Sequence, residues 1–188
     1  MSNLEIEYKT LLTKKEYQRL LEQMSHVPPV VQTNYYIDTP NFDLKAHRMS
    51  LRVRTFAEQA ELTLKVPENI GNREYNIDLT MINAKEIIKT GHLPQSNIRT
   101  LIETEGIDVS KLENFGYLTT TRREATTAIG KMALDCNHYA STIDYELELE
   151  VQNAEKGQTD FDRFLEENQI SFKYAKSKVA RFSKTLNP

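Results

Sequence analysis

The sequence predicts an α+β protein in which an antiparallel sheet curls into a closed or nearly closed barrel with helices packed on the outside. Three observations lead there. At least six stretches alternate apolar and charged residues with the two-residue period of a strand. Other stretches carry an apolar stripe at helical spacing, and these helices need a partner to cover it. If they cover the apolar strand faces, the charged faces must line something else. A wet barrel interior accommodates them, and closure removes exposed sheet edges.

The first strand sets the pattern. Leu4, Ile6 and Tyr8 share one face, and Glu5, Glu7 and Lys9 share the other. Thr13-Lys14-Lys15-Glu16 reads as a capping box opening a helix over 13–24, with Tyr17, Leu20, Leu21 and Met24 on its apolar side. Residues 30–38 form the next strand. At 49–56, Leu51 and Val53 oppose Arg52 and Arg54. At 60–66, Leu62 and Leu64 oppose Glu61, Thr63 and Lys65. At 73–80, Tyr75, Ile77 and Leu79 oppose Glu74, Asn76 and Asp78, and Glu74 suits either a lumen or solvent. The middle changes character. Asn83-Ala84-Lys85-Glu86 can cap a short helix, 96–105 can form another, and Ser110 can cap a third turn.

Strands resume at 117–128, with Thr120, Arg122 and Glu124 on one face, and at 131–139, where Met132 and Leu134 oppose Lys131, Ala133 and Asp135. Residues 143–151 alternate most strictly, with Tyr145, Leu147, Leu149 and Val151 against Glu146, Glu148 and Glu150. The tail reads as helical. Phe161, Phe164 and Leu165 make one stripe, and Ala175, Val179, Phe182 and Leu186 another, with Lys176, Lys178 and Arg181 off it.

The 188 residues suit a single domain, 1–188, and 39% hydrophobic content suffices for a core. A net charge of -3 gives no bulk attraction to nucleic acid, so basic residues must act locally. The lone cysteine, Cys136, excludes an internal disulfide and fits a reducing compartment. No apolar leader and no membrane-length apolar run is present, so a cytoplasmic protein that binds no membrane is expected. The outer helix faces would also suit a homodimer. His26, His47, His92 and His138 show no ligand spacing and read as structural or surface residues. Cys136 reads as facing the apolar side, Tyr35, Tyr36 and Tyr75 as packing, and Asp78, Asp160 and Asp162 as solvated.

A lumen dense in both acids and bases is costly if dry and empty. It makes sense filled by water, a metal ion and a polyanion. Carboxylates of the first strand and of the Glu146/Glu148/Glu150 strand suit Mg²⁺ or Mn²⁺. Lys9, Arg52, Arg54, Lys65 and Arg122 suit phosphate oxygens.

Several motifs then resemble the CYTH family, the triphosphate tunnel metalloenzymes, and most closely its small members from Gram-positive bacteria. Glu5-Ile6-Glu7-Tyr8-Lys9 resembles the ExExK signature. Tyr35-Tyr36-Ile37-Asp38-Thr39, Leu51-Arg52-Val53-Arg54, Leu62-Thr63-Leu64-Lys65, Thr120-Thr121-Arg122, Leu134-Asp135 and Glu146-Leu147-Glu148-Leu149-Glu150 follow in the family's order. The resemblance spans roughly residues 4 to 182. It implies a closed eight-stranded antiparallel tunnel that binds a triphosphate-containing small molecule with Mg²⁺ or Mn²⁺. It also implies hydrolysis of inorganic triphosphate, thiamine triphosphate or a nucleoside triphosphate. The alternatives are cyclisation of ATP to cyclic AMP and diphosphate, or polyphosphate binding without turnover. By resemblance, Glu5, Glu7, Asp135, Glu146, Glu148 and Glu150 are metal acids, with Glu148 and Glu150 favoured on the late strand because the family pattern needs two there. Lys9, Arg52, Arg54, Lys65, Arg122, Lys178 and Arg181 face the triphosphate, and Glu5, Glu7, Lys9 and Glu148 carry the chemistry.

Overall fold

The computed structural model describes residues 1–186. Eight strands form one closed antiparallel barrel: β1 (Ser2–Leu12), β2 (Val30–Asp38), β3 (Ser50–Phe56), β4 (Gln59–Pro67), β5 (Asn72–Leu79), β6 (Glu113–Thr127), β7 (Gly130–Tyr139) and β8 (Thr142–Val151). Their order around the barrel is β1-β5-β4-β3-β2-β6-β7-β8. The helices are α1 (Lys14–Gln23), α2 (Asp43–Ala46), α3 (Met81–Thr90), α4 (Asn97–Thr104), α5 (Ala154–Glu167) and α6 (Lys178–Ser183). Among the described residues no helix is long and apolar enough to cross a membrane.

The chain forms two compact units. One comprises Met1–Leu4 with Gln32–Tyr117, and the other Glu5–Val31 with Leu118 onward. In the first, the β3–β4 hairpin aligns Val53 with Leu62 and Leu51 with Leu64. These four side chains are essentially inaccessible and pack with Ala84 and Ile87 of α3, Ile98 and Ile102 of α4, and Leu44 of α2. The opposite face of the hairpin, turned to the barrel interior, carries Arg52, Arg54, Glu61, Thr63 and Lys65.

In the second unit, Leu134 pairs with Leu147, and Met132 with Leu149. They pack with Leu20 of α1, with Met24 that caps its C-terminal end, and with Phe161 and Leu165 of α5. Burying such a side chain contributes about 1.5–3 kcal/mol, so α1 and α5 are held by this face rather than by helix propensity. The capping box of α1 forms as read. Thr13 N–H donates to Glu16 Oε2 at 2.7 Å, and Glu16 N–H donates to Thr13 Oγ1 at 3.2 Å.

Four local expectations change. The mid-chain helix α3 starts at Met81 and is capped by Thr80, whose hydroxyl accepts from the Asn83 N–H, so Asn83 lies inside the first turn. The last helix is only Lys178–Ser183. Ala175, read as part of its stripe, lies before the helix, because Lys173 bonds to β1 instead: Leu11 N–H donates to the Lys173 carbonyl at 2.9 Å, and Lys173 N–H to Thr10 Oγ1 at 2.8 Å. The short helix α2 carried no periodic signal in four residues. Asp160 is buried, not solvated, and is ion-paired to Lys156 and Arg163.

Candidate active site

In the second unit the inner face of β7 and β8 gathers three carboxylates. Antiparallel pairing sets Asp135 opposite Glu146, and Ala133 opposite Glu148. One oxygen from each of Asp135, Glu146 and Glu148 lies within 4.8 Å of the other two. Asp135 and Glu146 are fully buried. Three converging carboxylates repel one another, so this wall needs cations, and the chain supplies several. Arg122 of β6 makes a two-pronged bond to Asp135, Nε to Oδ1 at 2.8 Å and Nη2 to Oδ2 at 2.7 Å, and reaches Glu148 Oε2 at 2.6 Å. Lys178, the first residue of α6, places its ammonium among all three acids. It lies 2.9 Å from Asp135 Oδ2 and 2.5 Å from Glu148 Oε1, and also bonds Glu146. Arg181, one turn on, binds Glu146 Oε2 at 2.7 Å and Asp144 Oδ2 at 3.1 Å.

Charge states follow from this packing. Burial pushes the Glu148 carboxyl up, but Lys178, Arg122 and Lys9 together outweigh it and hold it well below the usual carboxylate range. Burial dominates at Glu146 and leaves its proton affinity raised despite Lys178 and Arg181. Burial alone would lower Lys178, yet Asp135, Glu146 and Glu148 raise it far above an ordinary lysine. The oxygen-only donor set fits a hard divalent cation, with the Lys178 ammonium standing among the acids where positive charge is required.

The first strand adjoins this wall. β1 pairs with β8 so that Lys9 faces Glu148 and Glu7 faces Glu150. Lys9 Nζ donates to Glu7 Oε1 at 2.8 Å. Glu150 sits opposite Lys131, and its Oε2 is 2.9 Å from that ammonium. Glu5 lies two residues before Glu7 on the same face and is half-buried. Glu5, Glu7 and Glu150 are outside the three-carboxylate group, so the late-strand acids brought together are Glu146 and Glu148.

In the first unit the inner face is a separate basic wall. Lys65 Nζ lies 3.2 Å and Arg52 Nη2 3.7 Å from Glu74 Oε1. Burial pushes the Glu74 carboxyl up, but Lys65 and Arg52 outweigh it and hold it low. Glu74 thus belongs to the interior. Arg54 Nε donates to Asn34 Oδ1 at 2.9 Å, and its Nη1 lies 3.6 Å from Glu61. Gln32 Nε2, Asn34 Nδ2 and Arg52 Nε are buried donors with no hydrogen-bond partner among the described residues. Such donors suit the oxygens of an anion.

Sequence reasoning missed Gln32, Asn34 and Asp144. Asp144 continues the inner-face alternation of β8 two residues before Glu146, and that spacing was its signal. It accepts from Tyr139 Oη at 2.6 Å and Asn137 Nδ2 at 2.9 Å, and burial plus this bond pushes the Tyr139 phenol up to about 12. Gln32 and Asn34 carry no charge and gave no signal. Cys136 lies outside the lumen beside His138 Nε2 at 3.4 Å. Burial, then Asp144 and Asp135, raise its thiol, which argues against a nucleophile. All four histidines are exposed.

A CYTH domain profile matches residues 3–183. YjbK of Bacillus subtilis (strain 168), a candidate triphosphatase, is 30% identical over 181 residues, covering 95% of this chain and 94% of that protein. A solved Bacillus halodurans structure, described as a candidate adenylate cyclase, superposes with a TM-score of 0.91 at 32% identity, covering 96% and 98% of the two chains. A Hippeastrum structure, described as a candidate adenylyl cyclase with a dominant triphosphatase activity, superposes with a TM-score of 0.84, covering 97% and 96%. At 24% identity it speaks for the fold alone. This chain belongs to the CYTH family.

Proposed function

We propose that this protein, acting as one domain, hydrolyses a triphosphate with the help of a divalent cation. The observation that carries the reading is the convergence of Asp135, Glu146 and Glu148 with Arg122, Lys178 and Arg181 on one interior wall. The similarity to YjbK, itself a candidate triphosphatase, points the same way. The single cysteine suits a cytoplasmic setting.

Asp135, Glu146 and Glu148, with Glu5, Glu7 and Glu150 as further acids, would hold Mg²⁺ or Mn²⁺. When bound, such an ion neutralises phosphoryl charge and lowers the pKa of water. Lys9, Arg122, Lys178 and Arg181 bind phosphate oxygens on this wall, as Arg52, Arg54 and Lys65 do in the first unit. Their role in the reaction is electrostatic. Negative charge on the transferring phosphoryl group is met by fixed guanidinium and ammonium donors that need no reorganisation. Arg122, already clamped by Asp135 and Glu148, is held in place for this.

The test is phosphate release from inorganic triphosphate with Mg²⁺ or Mn²⁺, with chelator and Glu7→Gln as controls and ATP in parallel. Glu148→Gln and Glu5→Gln should lower turnover by about 10²–10³, the usual cost of one such contact. Arg54→Ala should mainly raise KM. The B. halodurans protein's description favours a second reading, cyclisation of ATP, which would yield cyclic AMP and diphosphate instead. Metal-dependent binding with no turnover would leave a polyphosphate-binding protein, and unchanged turnover in all three variants would overturn the site.

A further inference from the structure

On β2 the inner face alternates as Gln32, Asn34, Tyr36 and Asp38. Asn34 pairs across from Arg54 and Tyr36 across from Arg52, which fixes that face, because residues directly opposite in an antiparallel pair project to the same side. Tyr36 and Asp38 are satisfied within the unit. Tyr36 stacks on Phe115 with ring centroids 6.1 Å apart. Asp38 accepts from the N–H groups of Thr39 and Leu44 at 2.8 Å and of Lys45 at 3.1 Å. Gln32 and Asn34 differ. They are 6% and 0% exposed, and neither Gln32 Nε2 nor Asn34 Nδ2 has a hydrogen-bond partner among the described residues. We propose that these two amides are substrate-binding groups that donate to phosphoryl oxygens. The inference rests on the triphosphatase reading above and adds two uncharged residues to it.

The orientation of Asn34 is set by its neighbour. Arg54 Nε–H can only donate, and it lies 2.9 Å from Asn34 Oδ1. The amide oxygen must therefore face the guanidinium, and the NH₂ group is turned away from it with protons to give. An aspartate here would hold Arg54 at least as firmly and would donate nothing. Leaving a buried donor unpaired costs stability. Two of them stand on one face of β2, and Arg52 Nε on the adjoining strand is a third. Donors of this kind cannot ligate a metal ion and fit the oxygens of an anion.

The amides supply what the charged groups of this wall lack. Lys65 and Arg52 are already drawn to Glu74, at 3.2 Å and 3.7 Å, and Arg54 to Glu61 at 3.6 Å. Their pull on a phosphoryl group is therefore partly cancelled, and salt screens what is left. An amide hydrogen bond carries no net charge, so its contribution survives salt. It also weakens steeply when the angle is wrong, so it orients the group as well as holding it.

The test measures KM for inorganic triphosphate with Mg²⁺, and the melting temperature of the free protein, in Gln32→Met and Asn34→Asp. Gln32→Met replaces an unpartnered donor with an apolar side chain of similar length. It breaks no bond to Nε2 within the protein, so the melting temperature should equal or exceed the wild type's, while KM rises about tenfold, by the same factor at low and at high salt. Asn34→Asp keeps an acceptor for Arg54 but sets a carboxylate where the donor was, and should raise KM about a hundredfold. A lower melting temperature in Gln32→Met with KM unchanged would make the amides structural and overturn the inference. An increase in Asn34→Asp alone would assign the effect to charge beside Arg54 and overturn it too. In both cases turnover by the wild type leaves the triphosphatase reading standing. If the wild type does not turn inorganic triphosphate over, calorimetric affinities replace KM, and failure to bind it with metal would overturn the triphosphatase reading and this inference together.

Discussion

Lys178 shows how one residue can reverse the pH response of a site. With its ammonium among the acids, Glu148 is held below its ordinary value. Its contribution to stability is then present above about pH 4.3 and lost as pH falls from there. In Lys178→Met the three carboxylates face each other with Arg122 and Arg181 alone, and carboxylate repulsion raises their proton affinity. A raised value reverses the sign, because stability is then greatest at low pH and lost as pH rises. The variant should melt on the order of 10 °C lower near neutral pH, the cost of breaking a buried ion pair in a chain of this size. Its melting temperature should climb as pH is lowered from 8 to 5, and millimolar Mg²⁺ should restore more of it than in the wild type. A pH profile parallel to the wild type's would remove Lys178 from among the acids. Residues at this scale were only half legible in sequence. Parity put Glu146, Glu148 and Glu150 on one face, but which of them meet depends on register. Asp135 falls opposite Glu146, whereas Lys131 falls opposite Glu150 and pairs with it.

At the scale of elements, patterns of two and 3.6 residues located the strands and the longer helices well. They failed where another segment decides the conformation. Ala175 falls on a helical stripe with Val179, Phe182 and Leu186 in sequence, yet Thr10 and Leu11 of β1 hydrogen-bond Lys173 just before it, and the helix starts only at Lys178. Gly157 of α5 is a second case of tertiary control. A Cβ there would come within 2.5 Å of Val151 Cγ2 and 2.9 Å of Val151 Cβ, so the glycine lets α5 lie flat on β8. Gly157→Ala should therefore destabilise despite its better helix propensity, by about 1–3 kcal/mol of overpacking. A calorimetric melting point several degrees below the wild type's would bear this out, and adding Val151→Ala, which removes both Cγ contacts but keeps the Cβ at 2.9 Å, should recover only part of the loss.

The whole molecule was legible because so many strands agreed. A single charged strand face is ordinary, whereas at least six strands whose charged faces cannot all meet solvent beneath covering helices leave few arrangements other than a barrel. What could not be read was the interior's neutral lining, since amides such as Gln32 and Asn34 have no period that distinguishes them from loop residues. At this scale ligand binding should register as stability. Inorganic triphosphate with Mg²⁺ at about a hundredfold over its dissociation constant should raise the melting temperature by roughly 5–10 °C, and chelator should abolish most of that shift.

The pairing of β1 with β8 has a consequence for how the molecule comes into being. Tyr8 finds Leu149 as its strand partner, and Lys9 finds Glu148. The first strand made during synthesis must therefore wait, unpaired on that edge, until the last strand has been made. Hairpins such as β3–β4 and β7–β8 can close locally and early, while the seam closes late, across nearly the whole chain. Pairings so distant in sequence slow folding. The charged inner face of β1 is well suited to that interval, because an alternating Glu-Lys edge resists adding a stray strand from another chain while it waits.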